Sequence, residues 1–134
     1  MRDPRPPLPA RQTLLLILLP MLATVFSLRL YLHLVHVRHI YPGGYLVHHL
    51  FVGVLILIPA AFLLAFGTRH RVVARLALGV GTVLVLDEVV YLVATKASDA
   101  DYVSRVSLLG AILLVSLAVL FLLVLYLRNR RNVE

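Results

Sequence analysis

Four stretches of this chain are each long and apolar enough to cross a bilayer, and the segments joining them are too short to fold on their own. A hydrocarbon core about 30 Å thick takes roughly 20 apolar residues in a helix. The stretches run over about 14–39, 46–66, 72–95 and 103–127. Between them lie Tyr41-Pro42-Gly43-Gly44-Tyr45, then Gly67 to Arg71, then Lys96 to Tyr102. Pro-Gly-Gly is a strong break between helices, and connections this short make neighbouring helices antiparallel. The expected fold is therefore all-α: a polytopic membrane protein with four transmembrane helices in an up-down-up-down bundle. Pro20 and Pro59 fall inside spans, where a kink is tolerated.

Composition excludes most alternatives. The 134 residues are 61% hydrophobic and 14% charged, whereas a soluble domain has roughly 45–50% and about 25%. There is no Cys, so disulfide scaffolds and thiolate metal sites are ruled out. Residues 1–12 hold four prolines and three arginines and read as a disordered basic cytoplasmic tail. They are not read as part of a signal peptide, because no small-x-small cleavage site follows cleanly. Residues 129–134 form a second cytoplasmic tail.

The net charge of +7 is explained by where the cations sit. Arg2, Arg5, Arg11, Arg69, Arg71, Arg75, Arg128, Arg130 and Arg131 fall on one side, with Arg38, Lys96 and Arg105 on the other. By the positive-inside rule both termini are cytoplasmic, in a plasma or inner membrane. The expected partner is the lipid bilayer, not nucleic acid, since no aromatic-interleaved basic patch is present.

What remains is a set of ionisable residues inside the spans. Such residues cost about 2.5–3.5 kcal/mol each on insertion scales and are functional candidates. The first span carries Arg29, His33, His36 and His39, the second His48 and His49, and the third Asp87 and Glu88. Folding the chain about its three loops brings the histidines and the two acids to one layer in the outer half of the bundle, with Arg29 about a turn and a half deeper than Asp87 and within reach of it. Ser104 and Ser107 come close to the same depth. At about 100° per residue, Arg29, His33 and His36 share a stripe, and Tyr91 falls between Asp87 and Glu88. Ser104, Ser107, Ala111 and Ala118 make a small-residue stripe suited to close helix approach.

Imidazole and carboxylate together suit a divalent transition metal such as Zn, Fe or Mn. The expected ligands are His36, His49, Asp87 and Glu88. Arg29, His33, His39, His48, Tyr91 and Ser107 stand behind them as alternates or supports. No Glu-x-x-His or His-Glu-x-x-His pattern names a particular metalloenzyme. A second reading needs no metal: Arg29 pairs with Asp87, and Glu88 with the histidines forms a proton relay serving a small transporter or transporter subunit. A third is purely structural, with Arg29–Asp87 fixing helix register. Bis-His haem ligation fits less well, because two carboxylates are poor company for an electron-transfer haem. Four helices enclose little more than one site, so a substrate pathway calls for a homodimer or entry from lipid. No nucleophile elbow or phosphate loop is present.

Overall fold

The computed structural model describes residues 8–35, 48–67, 70–96 and 99–131, and every regular element among them is helical. Helix α1 spans Ala10–Leu34, α2 His49–Ala65, α3 Arg71–Ala94, α4 Asp99–Tyr102 and α5 Arg105–Arg131. Leu, Val and Ala dominate these segments, and leucine and alanine are good helix formers. Pro20 and Pro59 are accommodated within α1 and α2. Each proline removes one backbone donor and crowds the carbonyl four residues before it, which a helix takes up by bending. Ser104 caps α5, its Oγ accepting the Ser107 N–H at 3.2 Å, which satisfies a donor that the first turn would leave bare.

Helix α1 begins at Ala10, inside the expected tail, and α5 continues to Arg131. Helices α1, α3 and α5 are long and apolar enough to cross a membrane, while α2, with 17 residues, is shorter.

Helix α3 is the centre: 33% of its apolar window is buried, against 6% for α1 and 11% for α5. Small residues make this approach feasible. A Cβ on Gly53 would stand 2.9 Å from the Gly81 carbonyl oxygen, and one on Gly81 would stand 2.9 Å from that of Gly53. Gly79 faces the Ile17 carbonyl, and Gly110 faces Val90.

Met21, Val83 and Val115 form an apolar core joining α1, α3 and α5, and Leu32, Tyr91 and Tyr102 form a second one toward the other end. The outside is apolar as well, with Phe26 69% and Leu55 71% exposed. Yet the fully buried side chains include Asp87, Glu88 and Ser107. A bundle greasy outside and polar within reverses the usual soluble arrangement.

Candidate functional site: a buried carboxylate pair on α3

Asp87 and Glu88 are each 1% exposed. Adjacent helical residues point about 100° apart, so the pair addresses two different neighbours of α3. Asp87 is turned toward α1 and Glu88 toward α2. Burying two carboxylates demands compensation from both sides.

On the α1 side, Arg29 Nε donates to Asp87 Oδ1 at 2.7 Å. The same guanidinium reaches the Tyr102 carbonyl at 3.4 Å, the Ser107 carbonyl at 3.2 Å and Ser107 Oγ at 3.4 Å. One planar fork thus joins α1, α3, α4 and α5. On the α2 side, Glu88 Oε1 meets His48 Nδ1, while Oε2 accepts the Leu50 N–H at 2.5 Å. Leu50 lies in the first turn of α2, where backbone donors have no partner of their own. Glu88 therefore caps α2 from another helix, with its negative charge at the positive end of the helix dipole.

His49 sits between the two acids. Its Nδ1 is 3.2 Å from Glu88 Oε2 and its Nε2 is 3.5 Å from Asp87 Oδ2. The Tyr102 hydroxyl is bonded to the same ring. Tyr102 also packs edge-on against the buried Tyr91, with ring centres 4.4 Å apart. Asp87 Oδ2 is buried and accepts no hydrogen bond among the described residues. The side chains of His48 and His49 are each 19% exposed, so the imidazoles lie between the buried acids and the outside.

The structure brings Arg29, His48, His49, Asp87, Glu88, Tyr91 and Ser107 into one cluster. His48, expected as an alternate, is in direct contact with Glu88. His36 and His39 lie outside the described residues. His33 is exposed. The inward face of α1 runs through Leu28, Arg29 and Leu32, and His33 is rotated about 100° beyond Leu32. Among the described residues no group of three or more His, Asp or Glu side chains is arranged to hold a metal ion.

Two participants escape a sequence reading. Tyr102 ends a short polar connection and looks like an interfacial anchor; only the turn of α4 delivers it to His49. The Leu50 N–H is a backbone group without a residue signature. The position of Leu50 at the start of a helix opposite an acid is the one available clue. No family model, curated protein or solved structure matches the chain.

Proposed function

We propose that the chain is an integral membrane protein of four spans, up-down-up-down, with both termini cytoplasmic, whose cluster around Asp87 and Glu88 carries protons in a small transporter or transporter subunit. The supporting observation is the chain of contacts from the Tyr102 hydroxyl, 3.2 Å from His49 Nε2, across the imidazole to Nδ1, 3.2 Å from Glu88 Oε2, and on from Glu88 to His48. Each of these side chains can carry or accept an exchangeable proton. Arg29 neutralises Asp87, which leaves Glu88 and the two histidines as the exchanging group. The partly exposed imidazoles connect this group to the outer face.

A divalent metal is the second reading. Asp87 Oδ2, buried and without a hydrogen bond among the described residues, faces His49 Nε2 and favours it. Two features weigh on the other side. Both Glu88 oxygens are already engaged, and Arg29 places a cation beside Asp87. His36 would have to complete the ligand set.

The test is proton flux into vesicles containing the purified protein and a trapped pH-sensitive dye, under an imposed potential. Flux above that of empty vesicles is expected, together with its loss in Glu88→Gln and His49→Ala. Equal flux in wild type and both variants, or none in wild type, overturns the relay. Metal content by mass spectrometry after metal-replete growth decides the second reading, which needs about one ion per chain bound through His49 and the acids. A reporter fused after Glu134 that reads extracytoplasmic would reverse the orientation.

A further inference from the structure

At the end of the bundle far from the carboxylates, the start of α1, the start of α3 and the end of α5 enclose a slot of about 540 Å³. That volume lies within the range of small-molecule pockets, about 300–1,000 Å³. Its polar lining residues, Thr13, Arg75, Tyr126 and Asn129, stand toward the helix ends beside the apolar Leu8 and Ala10, and the deepest, Ile17 and Leu122, are apolar. The register supports this order, because the Gly79–Ile17 contact one turn further in makes Arg75 level with Thr13.

Arg75 is half-buried, and one N–H of its guanidinium goes to the Arg71 carbonyl at 3.2 Å. Among the described residues no carboxylate pairs with it. The described acids with described side chains, Asp87, Glu88 and Asp101, belong to the opposite end. Arg71, one turn before it on α3, puts a like charge beside it. Burying part of a guanidinium without a counter-charge is costly, and a neighbouring cation raises that cost unless an anion is present.

We propose that this slot binds one anionic phospholipid, its phosphate on Arg75 and an acyl chain along Ile17 and Leu122. The polarity gradient matches an amphiphile lying in the leaflet on that side, and basic pockets between membrane helices suit anionic headgroups. Residues 1–7, which precede the slot in the chain, carry Arg2 and Arg5 against the single acid Asp3, a net positive charge. The inference rests on the bilayer reading and is independent of the proton relay.

The test begins with extraction of host membranes by alkaline carbonate. Protein that washes off overturns the bilayer reading, and this inference with it. Protein that stays is purified in mild detergent and its retained lipid weighed by native mass spectrometry. The expected result is about one phospholipid per chain with phosphatidylglycerol favoured over phosphatidylcholine. Arg75→Gln should lower that retention about tenfold, the scale of one charge-assisted hydrogen bond. Ala10→Trp, which fills the mouth, should lower it similarly while circular dichroism stays helical. Adding phosphatidylglycerol should raise the melting midpoint of wild type, and inorganic phosphate should not. Equal retention of the two lipids, retention indifferent to both variants, or an equal shift from phosphate alone overturns the proposal.

Discussion

Arg29 and Asp87 lie 58 positions apart in the chain and meet with Nε 2.7 Å from Oδ1, in a contact that also carries the guanidinium to the Tyr102 and Ser107 carbonyls. Because Asp87 is 1% exposed, removing its partner strands a charge. Arg29→Gln should therefore destabilise by about 3 kcal/mol, at the lower end for a broken buried pair. The double variant with Asp87→Asn should recover part of that loss. Unfolding in detergent of wild type, both single variants and the double variant measures the coupling. Strictly additive losses would show that the pair does not act as a unit.

Glu88 has two structural tasks that substitutions separate. Glu88→Gln keeps an oxygen for the Leu50 N–H and loses the charge opposite His48. Glu88→Ala loses both. The alanine variant should be the less stable by about 1 kcal/mol, the usual worth of a helix cap, and amide exchange at Leu50 and Phe51 should accelerate in it alone. Equal exchange in the two variants would contradict the capping role.

Tyr102→Phe keeps the edge-on packing against Tyr91 and removes only the hydroxyl bonded to His49. Proton flux in vesicles should fall about tenfold, equivalent to one hydrogen bond of roughly 1.4 kcal/mol in a barrier. His33→Ala, on the exposed side of α1, should leave flux unchanged. A Tyr102→Phe flux equal to wild type would remove the tyrosine from the path.

Gly79→Ala tests the closest approach of α1 to α3. An exposed helix interior would gain up to about 1 kcal/mol from this change. Here the new methyl meets the Ile17 carbonyl, which is backbone and cannot rotate away. The helices must separate, and a net loss of about 1–3 kcal/mol in detergent unfolding is expected. A stabilised variant would mean that α1 and α3 are less tightly apposed than described.

The apolar helices were legible because length and hydropathy are local properties. Spans expected at about 72–95 and 103–127 correspond to α3 at Arg71–Ala94 and α5 at Arg105–Arg131. Asp87 and Glu88 stood out for the same reason, since a charge inside such a stretch is conspicuous without any knowledge of its partners. Facing was less secure. Arg29, His33 and His36 share a stripe on a helical wheel, but a wheel has no fixed zero. Packing of Leu28 and Leu32 against Tyr91 and Tyr102 turns α1 so that Arg29 faces inward and His33 outward.

The sequence by itself determined that this chain forms long apolar helices interrupted by Asp87, Glu88, Arg29 and histidines, because burial cost depends on residue type. Only the tertiary structure decided which acid meets which cation. Adjacent residues on α3 point about 100° apart, so Asp87 is delivered to Arg29 on α1 and Glu88 to His48 and the first turn of α2. That division depends on helix rotation and close approach, set by Gly53, Gly79 and Gly81 together, and no local pattern encodes it.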